Sequence, residues 1–238
     1  MRPLAIAALL LSLTLPGTTA LAAPATGAHV PPGFEVDVFA SGLGKVRLMA
    51  VHPSTGVLYA SITDRDAVVA LPDADKDGTP DKVVQIVSGI KQAHGLAFHE
   101  GWLYVAGTDR VVRVKDANND LKADAKPEHI ANIPGGGGHF TRTIAFTPDG
   151  STLLVSIGST CNACIEDDPE RAAIIAMTPE GKNRRLYATG LRNAVGIKFD
   201  GKGRLWAANN GRDWLGNELP PECLYIVKDG GFYGWPYA

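Results

Sequence analysis

Between Gly135 and Phe146 the chain reads GGGGHFTRTIAF, which sets an imidazole, His139, and a guanidinium, Arg142, between a glycine run and an apolar strand. Neutral imidazole is suited to accept a proton near pH 7. Guanidinium pairs with carboxylates and stacks on flat π systems. Glycines let a ligand come close to the backbone. A cluster of Arg and His side chains beside such backbone asks for an anionic, planar partner. The pattern recurs: Arg47, His94 and the Arg192-Asn193 pair also stand just before short apolar runs. Core packing would call for apolar residues there, and an exposed loop gives no reason for Arg or His each time.

Something must bring these positions together, and an internal repeat supplies it. RLMAVHPSTGVLYAS (47–61), HGLAFHEGWLYVA (94–106), RTIAFTPDGSTLLVS (142–156) and VGIKFDGKGRLWAA (195–208) share one plan: strand, tight turn, strand. Aligned on Tyr59, Tyr104, Leu154 and Trp206, the steps are 45, 50 and 52 residues. Turns such as Pro148-Asp149-Gly150 are hairpin chemistry, and a flanking piece, VVALPDADKDGTPD, returns as VVRVKDANNDLKAD 43 residues on. Such periods with about four short strands each predict an all-β fold, a β-propeller with one unit per blade. Alternation at period two dominates over any helical period. A β-sandwich would leave the repeat unexplained. In a propeller, equivalent positions of successive blades meet at one rim of a central channel, so Arg47, His94, Arg142, Arg192 and Asn193 would converge there with His139.

The motifs GGHFTRTIAFTPDG, VSIGSTCNAC, ATGLRNAVGIKF, LWAANNGRDWLGNELPPE and DGGFYGWPY, in that order, resemble the soluble quinoprotein sugar dehydrogenases, in particular their sorbosone and pyranose branch. The likeness runs from about Pro32 to the end of the chain. It implies a six-bladed propeller holding pyrroloquinoline quinone (PQQ) and calcium, which oxidises an aldose, pyranose or sorbosone at C1 and passes electrons to a cytochrome or quinone acceptor. His139 falls at the family's general base. Arg192 and Asn193 match its cofactor-contacting pair, with Arg142, Asn210 and Arg212 as further cofactor-side residues. Gly211, Arg212 and Asp213 align with its calcium loop, supported by Asn210 and Glu218. Glucose-type relatives carry an aspartate that orients the base where this chain has Ser159, so either Asp213 or Glu166 takes over that task or the base works with less help. Trp235 is expected to pack within a blade. Four units stand where the resemblance implies six, and the chain reads as a partial propeller.

A second metal site is expected in DADKDGTPD, where Asp73, Asp75, Asp77 and Asp81 with Gly78 form the first half of an EF-hand-like loop, for structural calcium. Its twelfth position is Val84, not glutamate. The sister loop, with Leu121 in place of the turn glycine, is expected to bind nothing. Cys161 and Cys164 can close a small disulfide loop or supply half a zinc site, leaving Cys223 free or intermolecular. Ile165, where a haem motif needs histidine, excludes haem attachment.

Residues 1–22 have the form of a secretory signal peptide: Arg2, an apolar stretch from Leu4 to Leu15, and Ala20-Leu21-Ala22. The partial propeller domain would then occupy 23–238, periplasmic or secreted, with no membrane insertion after cleavage. With 23 basic and 25 acidic side chains and a net charge of −2, nothing suggests a nucleic-acid partner. Two other functions fit a propeller. A calcium-dependent lactonase needs carboxylates and Asn around a central ion, and the rim here is mainly Arg and His. A non-catalytic binding propeller would not need a base beside a glycine run.

Overall fold

Stretches rich in Val, Ile, Leu and Ala become strands in this computed structural model, which describes residues 29–237, and those at 67–71, 153–157 and 173–177 are buried on both faces. The proposed signal peptide lies outside the described residues. Among the described residues, those up to Phe39 belong to one unit and those from 40 onward to a second, and every strand falls in the second unit. Among the described residues there is no α-helix, only one 3₁₀ turn at Thr63–Arg65.

The first sheet comprises β1 (Val46–Val51), β2 (Leu58–Ile62), β3 (Ala67–Leu71) and β4 (Val84–Ser88). The second comprises β5 (Gly95–His99), β6 (Trp102–Ala106), β7 (Arg110–Lys115) and β8 (Glu128–Asn132). The third is β9 (Ile144–Phe146), β10 (Leu153–Ile157), β11 (Ala173–Met177) and β12 (Arg185–Thr189). The fourth has β13 (Ala194–Phe199), β14 (Leu205–Asn209) and β15 (Cys223–Val227). Each is an antiparallel meander, and β16 (Gly231–Phe232) returns to pair in parallel with β12. The four sheets are four propeller blades, as the repeat predicts.

Three apolar interfaces join the blades, and alternate residues of one strand serve different interfaces. Leu153, Val155 and Ile157 face the second blade with Tyr104 and Val111. Leu154, between them, faces the fourth with Ile174, Leu205 and Ala207. A one-residue slip of β10 would exchange both sets, so the register is strongly fixed. Hydroxyls stitch the inner strands together: Ser61 Oγ donates to His94 O (2.8 Å), Ser156 Oγ to Ala194 O (2.6 Å) and Thr143 Oγ1 to Val195 O (2.6 Å). Between the innermost strands β1, β5, β9 and β13 lies a cleft of about 970 Å³ lined by apolar side chains such as Leu48, Phe98, Ile144 and Ile197. His139, Arg192 and Asn193 are not in that lining. They stand where the loops enter these strands.

The two sister loops, 72–83 and 116–127, fold alike. Asp81 accepts a bond from Ala74 N (2.8 Å) as Asp124 does from Ala117 N (2.9 Å), and Asp73 and Asp116 each take two backbone N–H groups further on. Leu121 takes a left-handed φ of 67° where Gly78 has 85°, and its side chain packs against the core. Oxygens of Asp73, Asp75 and Asp77 lie within 4.8 Å of one another, while Asp81 stays outside that group as a backbone acceptor. Asp and Asn side chains bonded to backbone N–H groups give both loops their shape.

Candidate active site at the strand rim

The glycine run is built by backbone demands. Gly136 and Gly137 have φ of 75° and 89°, and a Cβ on Gly137 would lie 3.0 Å from Thr160. Gly138 N and His139 N then donate to Thr160 O (2.9 Å) and Ser159 O (3.1 Å). These bonds lay the loop along the segment that leaves β10 and set His139 against it.

His139 Nδ1 lies 3.1 Å from Ser159 O and 2.9 Å from Ser159 Oγ. The Ser159 hydroxyl donates its own proton to Cys161 O at 2.7 Å. Both partners of Nδ1 therefore accept, which places the imidazole proton on Nδ1 and leaves the Nε2 lone pair available. Burial, followed by the charge of Arg192, pulls the His139 pKa below its ordinary value, against opposing effects of the Ser159 bond, Asp213 and Glu166. Glu166 and Asp213 do not orient the ring, contrary to the sequence expectation. The Glu166 carboxylate accepts from Thr160 N and Oγ1 (both 2.7 Å), and Asp213 pairs with Arg192 at 2.6 Å. Ser159 takes over the task, with a hydroxyl and a carbonyl in place of a carboxylate.

Arg142 and Arg192 reach the same rim, but buried. Arg142 is 0% exposed, and its guanidinium donates to the carbonyls of Thr108 (3.0 Å), His139 (3.3 Å), Thr141 (2.5 Å) and Pro134 (2.5 Å). Burial and the nearby Arg171 lower its pKa to about 9, against the opposing charge of Asp109. Arg171, which the sequence reading passed over, donates to Gly135 O (2.5 Å) and Gly158 O (3.4 Å). These two arginines clamp the glycine loop. Where the sequence led to a cofactor contact at Arg142, the structure shows its guanidinium engaged by four backbone carbonyls in a loop-holding role.

Arg192 is 2% exposed and bonds Asn162 O (2.8 Å), Asn162 Oδ1 (2.8 Å), Gly211 O (2.5 Å) and Asp213 Oδ2 (2.6 Å). One of its N–H groups is left over. Asn193, 8% exposed, has its Oδ1 buried without a partner. Its backbone makes two bonds that order the next loop: Asn193 N donates to Asn209 Oδ1, and Asn193 O accepts from Asn210 N, both at 3.0 Å. Arg212 is exposed.

Gly158 explains how His139 and Asn193 come so close. A Cβ there would lie 2.5 Å from His139 Cβ and 2.8 Å from Asn193 Oδ1. The nearer neighbour, His139 Cβ, is fixed directly to the backbone and cannot swing away, so Gly158→Ala is expected to destabilise the fold by about 1–3 kcal/mol. Urea unfolding measures this, and wild-type stability in the variant would remove the close contact from the account.

In the calcium loop expected at Gly211–Asp213, two of the oxygens are already engaged by a cation. Gly211 O and the Asp213 carboxylate both accept from the Arg192 guanidinium, and Gly211 N is taken by Glu222 at 2.8 Å. A cation placed among these oxygens would face a fixed positive charge, so the residues do not fit the metal as they are arranged. A quinone is a different matter. The unpartnered Asn193 Oδ1 and the free His139 Nε2 lie at one rim, and the exposed Arg47 guanidinium lies at the same rim. Arg47 is pinned by its Nε bond to His94 Nε2 (3.1 Å) and sits 5.3 Å from the Phe140 ring centre. Arg47 beside Phe140 suits an anionic, planar ligand, while the His139 Nε2 and Asn193 Oδ1 acceptors suit a hydroxyl-bearing one.

Cys161 and Cys164 form a disulfide and Cys223 is free. Trp235 is buried, with Nε1 donating to Asn162 O at 3.1 Å. Among the described residues no helix is long and apolar enough to cross a membrane.

This chain is similar to several known proteins. The TrAA12-like family matches residues 28–220. The chain superposes with a TM-score of 0.75 on the holo form of the PQQ domain of pyranose dehydrogenase from Coprinopsis cinerea, at 20% identity over 87% of this chain and 58% of that one. For the iodide structure of a Trichoderma reesei carbohydrate-active enzyme of family AA12 the values are 0.70 and 24%, over 83% and 57%. For the PQQ-bound aldose sugar dehydrogenase of Streptomyces coelicolor they are 0.68 and 22%, over 84% and 65%. The chain therefore spans somewhat more than half the length of these proteins.

Proposed function

The chain belongs to the TrAA12-like family, and from the site it carries we propose that it is a PQQ-dependent oxidoreductase acting on a sugar. The substrate is an aldose, pyranose or sorbosone oxidised at C1, and the electrons leave to a cytochrome or quinone acceptor in the periplasm or outside the cell. One observation carries the reading: His139 is held with its proton on Nδ1 and its Nε2 free, beside the unpartnered Asn193 Oδ1.

In this reading Ser159 holds the imidazole so that Nε2 takes the proton of the C1 hydroxyl. The lowered pKa keeps the ring neutral, and therefore competent, at pH 7. The charge of Arg192 disfavours the imidazolium and speeds its return to the neutral base. Asn193 Oδ1 accepts a hydrogen bond from the bound ligand, and Arg47 pairs with a carboxylate at the rim. Bound PQQ would supply the two-electron oxidant that receives hydride from C1. The lactonase alternative is less well supported, because the rim oxygens it would use for a metal are committed to Arg192.

The test is reconstitution with PQQ, once with calcium and once with a chelator, while reduction of an artificial electron acceptor is followed with glucose, fucose and sorbosone. Sugar-dependent reduction that requires PQQ is expected. Lactone hydrolysis without PQQ, with no sugar oxidation, would overturn the reading.

A further inference from the structure

The disulfide Cys161–Cys164 closes a ring of four residues, and one residue inside it is bonded to three distant parts of the chain. Asn162 O accepts from Arg192 Nε (2.8 Å) and Trp235 Nε1 (3.1 Å). Asn162 Oδ1 accepts from Arg192 Nη2 (2.8 Å) and Asp213 N (2.7 Å), while its Nδ2 donates to Asp213 O (3.1 Å). Those partners lie 30, 51 and 73 residues away in sequence. The preceding carbonyl, Cys161 O, receives the Ser159 hydroxyl that fixes the His139 tautomer. So short a loop constrains the unfolded chain little. Its effect therefore lies in the folded state, where it presents Asn162 and the Cys161 carbonyl in one fixed relation.

We propose that the ring is the positioning element of the site: Asn162 sets Arg192 and the 211–213 loop, and Cys161 O sets Ser159 and thereby His139. The proposal rests on the reading of His139 as the base and adds what holds that base and its charged neighbour in place. Ring and base are coupled through a continuous path of bonds, Cys161 O to Ser159 Oγ to His139 Nδ1. The charged groups acting on His139 are Arg192, Asp213 and Glu166, and Arg192 and Asp213 are bonded directly to Asn162. Such supporting shells hold reacting groups within the fraction of an ångström that catalysis needs.

The test uses the whole chain without added cofactor and reads the His139 ring nitrogens by ¹⁵N NMR, which reports tautomer and titration midpoint. Two variants probe the ring separately. Asn162→Ala removes its three side-chain bonds and keeps the disulfide. Cys161→Ser with Cys164→Ser opens the ring and keeps Asn162. In both, the proton is expected to spread from Nδ1 onto Nε2, and the midpoint is expected to climb toward that of a free imidazole as Arg192 loosens. In PQQ-loaded protein kcat should fall roughly 10- to 100-fold with a smaller change in KM. An unchanged tautomer and midpoint in Asn162→Ala, with only a lower melting temperature, would make the ring a stabilising clip and overturn the proposal. If the wild type shows no PQQ-dependent activity but the NMR changes occur, the functional reading fails and the positioning role stands.

Discussion

His139→Ala is expected to lower kcat for sugar oxidation by about 10²- to 10⁴-fold, the usual contribution of a positioned general base, while PQQ affinity changes by only a few-fold. The two readouts separate because the ring's polar contacts run to the protein side: Nδ1 faces Ser159, and Nε2 has no protein partner to lose. Removing the imidazole leaves Asn193 and Arg47 in place, so binding should survive. The pH profile adds a signed test. Protonation of Nε2 disables the base, so kcat/KM falls as pH drops through the His139 pKa. That pKa is held below its ordinary value by burial and by Arg192. The acid limb of the profile should therefore lie below pH 6.5, the reference value for imidazole. Turnover unchanged in His139→Ala would remove this residue from the chemistry, and an acid limb above 6.5 would contradict its environment.

The blade plan was readable because it is local. Each hairpin is a turn of fixed chemistry between strands of period two, and β9 and β10 follow from RTIAFTPDGSTLLVS without reference to anything distant. The convergence of His139, Arg142 and Arg192 followed from the repeat as well, since equivalent positions in successive blades meet at one end. What the sequence hid is how the two arginines are used. Arg142 donates to a carbonyl 34 residues away and Arg192 to one 30 residues away. Backbone carbonyls have no residue type, so no motif reports that a guanidinium will be consumed by them. A rim read as cationic surface is largely a buried scaffold, with Arg47 left as its exposed charge.

Ser159 shows the same limit in another form. The sequence reading sought a carboxylate to orient the base and nominated Asp213 and Glu166. The geometry needs only an acceptor at Nδ1, and a carbonyl with a hydroxyl that donates elsewhere provides it. The clue was the spacing in SIGST: Gly158 permits the close approach and the next residue inherits the position beside the ring. Leu121 shows a limit of another kind. A leucine at φ 67° is locally unfavourable, yet its side chain reaches the apolar interface between the first two blades, and tertiary packing outweighs the local preference.

His94 provides the largest expected effect of pH on stability. It is 0% exposed, accepts from Arg47 Nε at Nε2, and carries its proton on an Nδ1 that has no partner. Burial first, then the charges of Arg47 and Arg142, lower its pKa to about 3. Above pH 6.5 the ring is neutral in both folded and unfolded chains and adds no pH dependence. Between about 6.5 and 3 the unfolded chain takes up a proton that the folded chain refuses, so stability falls as pH falls. At about 1.4 kcal/mol per pKa unit the loss across the window is roughly 4 kcal/mol. Carboxylates begin to titrate near the lower end, so the measurement is a difference: urea unfolding at pH 7 and pH 5 for the wild type and for His94→Gln. The glutamine can keep an acceptor for Arg47 but does not titrate. Over those two units the wild type should lose roughly 2 kcal/mol more than the variant. Equal losses in the two proteins would mean that His94 takes up its proton in the folded state, which a fully buried ring between two guanidinium groups should not do.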